Sequence, residues 1–319
     1  MSRYILRRLA IAVPTIFGIT VLIFIAMRVL PGDPLAMIGS QGQSTRVLTE
    51  EELASARTSL GLDRPLYVQY LSWLGDIARG DLGYSFWTSE PLSDQVLRRG
   101  PISAQIAIFA VIISWVIGVP VGLLSAVRRN SWLDNVSRLV VTTTMAVPSF
   151  WLGLVMVLLS VRLFYWRPPL TITQLWEEPL VNLQIVLGPA IALGIGLAAV
   201  IMRMTRSTAL EVLGEDYVRT ARAKGLGARA LVAHHVFRNS LLPVITTSGV
   251  AIGGLLGGTV ATETAFGVPG LGTLLVEAMT TRDWMMIQNL VLLYALIFVV
   301  VNLLIDLSYA WIDPRIRFT

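Results

Sequence analysis

Few residues of this chain could do chemistry, and most of them fall in one stretch. Lys224 is the only lysine, His234 and His235 are the only histidines, and cysteine is absent. A nucleotide-binding P-loop needs a lysine before Ser or Thr, because the lysine ammonium must reach the phosphates. Gly225 follows Lys224, so P-loop hydrolysis is excluded. Adjacent histidines on a helix point about 100° apart and are poorly placed to share a metal ion. Without cysteine there is no disulfide framework, no thiolate metal site and no thiol nucleophile. No G-x-S-x-G elbow occurs.

What remains is a basic segment, Asp216 to Pro243, reading DYVRTARAKGLGARALVAHHVFRNSLLP. Ser207 to Gly225 is expected to form a short surface helix. Glu215 and Asp216 begin its polar part, and Arg219, Arg222 and Lys224 lie toward its end, an order that complements the helix dipole. Gly225 fits a left-handed C-terminal cap. Val218 and Ala221 share one face. Ala230 to Leu242 is expected to form a second helix leading into an apolar run, with Pro243 near the bend. From the residues alone the segment is either an ordinary basic loop that anchors topology or a docking knob for a partner.

The elements that position this segment are apolar. The 319 residues are 55% hydrophobic and 14% charged, with a mean hydropathy of +0.69. Soluble domains carry about 25% charged residues. Six stretches lack Asp, Glu, Lys, Arg and His: Leu9–Met27, Ile102–Val127, Leu139–Val161, Pro179–Met202, Asn239–Thr262 and Trp284–Ile305. Each is long enough to span hydrocarbon as a helix, and backbone in lipid must pair internally. The fold class is therefore an all-α polytopic membrane protein with six transmembrane helices in contact with membrane lipid. The net charge of +5 fits basic cytoplasmic loops better than nucleic-acid binding.

Arg3, Arg7 and Arg8 precede the first run, which is too long for a signal peptide and has no cleavage site. It reads as an uncleaved span with a cytoplasmic N-terminus. Six spans then put both termini inside, and the short loops agree: Arg128, Arg129 and Arg138 flank one inside turn, and Arg315 and Arg317 end the chain. Residues 31–101 form a long outside loop. In it Thr49-Glu50-Glu51-Glu52 has capping-box spacing, and an aromatic-rich piece from Asp63 to Trp87 either packs on the membrane surface or receives an external partner. The expected units are 1–30 (N-terminus and first span), 31–101 (outside loop), 102–313 (a five-helix core containing loop 207–243) and 314–319 (tail). In the fifth run Gly253, Gly254, Gly257 and Gly258 make two overlapping G-x-x-x-G pairs, which serve helix packing or line a path that opens and closes. The runs hold no ionisable relay, which weighs against an ion-coupled carrier.

The motifs Y-V-R-T-A-R-A-K-G-L, R-N-S-L-L-P and T-E-T-A-F-G-V-P-G-L-G closely resemble permease subunits of ABC importers, most of all the dipeptide/oligopeptide/nickel group. L-P-G-D-P (Leu30–Pro34), L-G-L-D-R-P (Leu60–Pro65), G-D-L-G-Y-S (Gly80–Ser85) and I-D-P-R-I-R (Ile312–Arg317) extend the likeness over essentially the whole chain. The long loop after the first span resembles the first permease of a pair. The resemblance implies the type I ABC importer permease fold. It implies a second permease subunit, two ABC ATPase subunits and an extracytoplasmic substrate-binding protein. It implies a transport subunit that is no enzyme and has no cofactor of its own, with ATP and Mg bound by the ATPases. The cargo it implies is a di- or oligopeptide, with nickel, glutathione or oligosaccharide as alternatives. It also assigns ATPase coupling to Glu215, Asp216, Arg219, Thr220, Ala221, Lys224, Gly225 and Pro243. Arg219-Thr220-Ala221 occupy the family's EAA slots, with Arg where Glu is more common, and Leu242-Pro243 match the closing L-P. The rival readings are a secondary transporter or channel without ATPases and a membrane scaffold.

Overall fold

The computed structural model describes residues 2–29, 63–85 and 88–312. The helix expected after Thr49, the Leu30–Pro34 motif and the tail from residue 313 lie outside them. Among the described residues the regular elements are helices: α1 (Ser2–Val29), α2 (Leu66–Ala78), α3 (Leu92–Val127), α4 (Trp132–Ala146), α5 (Ser149–Phe164), α6 (Pro179–Gly214), α7 (Asp216–Ala223), α8 (Ala228–Leu231), α9 (Arg238–Phe266), α10 (Leu271–Thr280) and α11 (Trp284–Ile312). Four helices are long and apolar enough to cross a membrane, and there are six spans when each of two bent pairs is taken as one.

The third run is not one straight helix. Its halves, α4 and α5, meet at 96°. Proline forces the residue before it out of the helical region. Val147 is accordingly extended at φ −99°, ψ 122°, and Pro148 starts α5 from φ −61°, ψ 139°. The fifth run is bent as well, by 54° between Pro243–Leu255 and Gly257–Phe266. That bend falls among the paired glycines rather than at Pro243, as expected where small residues weaken a helix.

The core forms where α6 meets α3 and α9. Ile102, Ile106, Ile185, Ala190 and Ile201 are fully buried there. α3 and α6 approach backbone to backbone: a Cβ on Gly118 would lie 2.8 Å from the Ala198 carbonyl, and one on Gly122 2.7 Å from that of Met202. Close approach of this kind is what small residues permit in membranes. The glycines of the fifth run divide. A Cβ on Gly253 would strike Phe298 at 2.8 Å, whereas Gly254 and Gly257 face open space. Packing therefore accounts for Gly253 and for Gly258, whose Cβ would meet Leu193 at 3.1 Å, and nothing packs against Gly254 and Gly257.

The aromatic helix α2 packs against α1 and α11. Tyr70 meets Phe24 edge-on with centroids 5.2 Å apart and its hydroxyl bonds to Thr20 at 2.8 Å. The Trp73 indole N–H donates to Asn289 at 2.7 Å. The inward face of this piece is thus committed to its own subunit.

Candidate coupling site

α6 runs from Pro179 to Gly214 and α9 from Arg238 to Phe266, antiparallel to it, so the segment between them lies at one end of the bundle. The expected single helix over Ser207–Gly225 is two. Ser207 to Gly214 continues α6; the chain then breaks at Glu215, whose ψ of 145° is extended. The surface helix is α7 alone, with Asp216 in its first turn and Arg222 in its last. Its only buried residue is Val218, 1% exposed. That one apolar anchor sets which face looks outward. Glu215, Asp216, Arg219, Thr220, Lys224 and Gly225 are exposed, and Ala221 is half-buried.

The outer face is stiffened locally. Asp216 pairs with Arg219 at 3.3 Å, and the Thr220 hydroxyl donates to the Asp216 carbonyl at 2.9 Å. The helix ends as its sequence requires. Gly225 adopts φ +86°, its N–H bonds to the Arg222 carbonyl at 3.0 Å, and the Leu226 N–H reaches the Ala221 carbonyl at 3.2 Å. Those two bonds are a Schellman cap. A Cβ on Gly225 would meet nothing within 4 Å, so backbone conformation, not space, selects glycine.

The knob is also tied to the next element. Asn239 donates to the Tyr217 hydroxyl at 2.9 Å, and the Tyr217 and His235 rings lie 6.3 Å apart. The expected helix over Ala230–Leu242 does run into the fifth span. α8 passes through a π-helical turn, Val232–Phe237, directly into α9. Wide turns of this type accommodate an inserted residue without breaking the rod. Pro243 is half-buried within α9, apart from the exposed surface that 215–225 present together.

Three buried carboxylates, Asp134, Glu263 and Asp283, escaped the reading of the sequence, and the first two tie elements together. Asp134, at the start of α4, is fully buried and pairs with Arg206 of α6 at 2.7 Å. The signal lay in Ser131-x-x-Asp134, a helix-start spacing; Ser131 indeed accepts from the Asp134 N–H at 3.3 Å. Glu263 closes the last turn of α9 and is fully buried at the opposite end of the bundle. Its Oε2 accepts the N–H groups of Gly272 at 2.7 Å and Thr273 at 3.3 Å. The T-E-T-A-F-G-V-P-G-L-G motif is thus a carboxylate with the loop that wraps it.

A hollow of about 280 Å³ touches both helix breaks. Thr144, Val147 and Ser149 border it from the first, Gly254 and Gly258 from the second, and Gly196 of α6 from below.

Comparison with known proteins agrees with this architecture. Residues 118–318 match the family described as binding-protein-dependent transport system inner membrane component. Residues 1–107 match the corresponding N-terminal membrane component. The chain is 38% identical to the dipeptide transport system permease protein DppB of Escherichia coli K12, over 99% of each chain. It is also 38% identical to the di/tripeptide transport system permease protein DppB of Pseudomonas aeruginosa, again over 99% of each. A chain of the MetNI methionine ABC transporter, solved in inward facing conformations, superposes over 71% of this chain and all of its own. The TM-score is 0.58 and the identity 18%.

Proposed function

Because the chain belongs to the family of binding-protein-dependent transport system inner membrane components, we propose that it couples ATP hydrolysis by partner subunits to uptake of a di- or oligopeptide. It is a multi-pass permease subunit of an ABC importer. Its function is to supply half of the translocation path; a second permease supplies the other half, and an extracytoplasmic binding protein delivers the cargo. ATP and Mg belong to two ABC ATPase subunits, and no residue of this chain is catalytic. Both termini and the α7 end face the cytoplasm.

One observation carries the reading: α7 is an eight-residue helix with a single buried side chain, braced against α6 and α9 and presenting its polar face outward. A helix held so firmly by so little of its own surface is built to be gripped from outside. ATP-driven closure of the ATPase pair draws two such knobs together, and the spans rock from inward-open to outward-open. Cargo crosses at the hollow beside Pro148 and Gly254. Non-helical backbone at membrane depth is tolerated where it lines a watery cavity or lies inside protein; the Val147-Pro148 break borders the hollow, and so does the bend of α9. The peptide assignment rests on the names of the relatives.

Reconstitution tests this. The full importer in liposomes takes up a labelled dipeptide only when ATP and both ATPases are present. Uptake by this chain alone would establish the ATPase-independent carrier instead. Cysteines placed at Arg222 and Ala223 label only from the cytoplasmic side; labelling from outside would invert the topology.

A further inference from the structure

We propose that Asp134 is a positioning residue which, through Arg206, fastens the first half of the broken third span to the helix that carries the coupling knob. The inference rests on the coupling assignment above and adds the route by which motion reaches the path.

α4 is weakly held by apolar contact. Its buried residues are Asp134 and Val141 alone, while Trp132, Leu139 and Val140 are 71%, 68% and 52% exposed. Beside it a half-open groove of about 220 Å³ lies between Val136, Val140 and Thr144 on one side and Ile195 and Ala198 of α6 on the other, so apolar packing between the two helices is incomplete there. The buried apolar contact of α4 centres on Val141, which meets Ala199 and Met202 of α6, with Val121 of α3 packed beside them.

The polar attachment is far more complete. Asp134 Oδ1 accepts from Arg206 Nε at 2.7 Å and from the Ser125 hydroxyl at 2.6 Å. Oδ2 accepts from Arg206 Nη2 at 2.9 Å and from the Asn130 backbone N–H at 3.0 Å. One carboxylate thus joins the end of α3, the following turn, α4 and α6. The guanidinium engages both oxygens, a geometry that fixes orientation as well as distance. Leucine could fill this space but could not hold that orientation.

The two ends of the linkage lie where coupling needs them. Arg206 precedes Gly214 by two turns of continuous helix, about 12 Å at 1.5 Å per residue, and α7 follows at once. At its far end α4 stops at Ala146, next to the 96° break and the hollow. When α7 is pulled, α6 moves, and Asp134 obliges the start of α4 to follow. The break at Val147-Pro148 takes up the angle. Without the link, α6 can move while the start of α4 stays behind.

The decisive quantity is solute taken up per ATP hydrolysed, measured for the full reconstituted importer carrying Asp134→Asn. A purely structural role lowers both rates in proportion to the subunit assembled. The link predicts continued ATP hydrolysis with uptake reduced tenfold or more, so the ratio falls. An unchanged ratio overturns the proposal. If Asp134→Asn does not assemble, Arg206→Lys is read the same way: the ammonium can meet the carboxylate but loses the two-point grip, and a ratio reduced at least twofold is expected. Asp134→Glu restores part of it. Wild-type importer run alongside separates the two ideas. Uptake without ATPases there would defeat the coupling assignment itself, whereas coupled wild type with an unchanged variant ratio defeats only this link.

Discussion

Gly225 and Gly267 end helices with the same device and to opposite purposes. Both take positive φ, +86° and +67°. Both complete a Schellman cap: at Gly267 the N–H reaches Thr264 at 3.2 Å and the Val268 N–H reaches Glu263 at 2.9 Å. Past Gly267 the chain folds onto its own subunit. Val268, Leu271 and Leu274 are buried, and a Cβ on Gly270 or Gly272 would run into Glu263. Past Gly225 the chain from Leu226 to Arg229 stays exposed, and a Cβ on Gly225 or Gly227 would meet nothing. Among the described residues the Glu263 end is packed within this chain, whereas the α7 end has a defined shape and little packing of its own, as the docking role proposed for it requires.

The comparison predicts that the same kind of substitution fails differently at the two ends. The largest effect is expected from Gly272→Val. Its Cβ would sit 2.5 Å from the Val260 Cα, an overlap with backbone that no side-chain shift relieves. The amount of folded subunit in the membrane should fall at least tenfold, and uptake with it. Normal accumulation would mean that the Glu263 loop is not the rigid cap described here. Gly225→Val comes next. It forces a β-branched residue into the left-handed region, yet nothing surrounds it. Subunit levels should stay within twofold of wild type while uptake and stimulated ATP hydrolysis fall tenfold or more. Normal uptake would remove α7 from the coupling path.

The two ends were not equally legible in the sequence. The α7 end could be read because its signals are local: a glycine at a helix terminus, acids before bases, an apolar residue every third position. Only the extent was wrong, since nothing apolar marks Glu215 as the break. The six spans were legible from absence of charge and Pro148 was a visible candidate for a bend, but which prolines interrupt a helix was not legible: Pro120 and Pro189 lie inside continuous helices, whereas Pro148 starts a new one. Glu263 and Asp134 were invisible as buried groups. Their partners lie far along the chain for Arg206, 72 residues from Asp134, or are backbone N–H groups with no sequence signature, as at Gly272.

Smaller effects sharpen the contrast. Val218→Ala removes the one apolar anchor of α7 and should cost about 1 kcal/mol locally, by the usual scale for lost buried methyls. The knob then loosens while the core stands. Uptake is expected to fall two- to fivefold with unchanged melting of the purified subunit, and a lowered melting temperature would show that α7 contributes to the global fold after all.

The smallest effect is expected from Asp216→Asn, and it is the most informative. The Asp216–Arg219 pair is exposed, with side-chain accessibilities of 94% and 72%, and pairs of this kind add almost nothing to folding. Asparagine keeps the side-chain shape and remains acceptable in the first turn of a helix. If Asp216 serves only its own helix, subunit level, uptake and ATP hydrolysis should all stay within about 1.5-fold of wild type. If its carboxylate also meets a cation on the ATPase, uptake falls and the subunit level does not. At the Glu263 end a loss of function always raises the question of misfolding. At the α7 end the side chains owe so little to their own subunit that a loss of function without a loss of protein points directly to the partner.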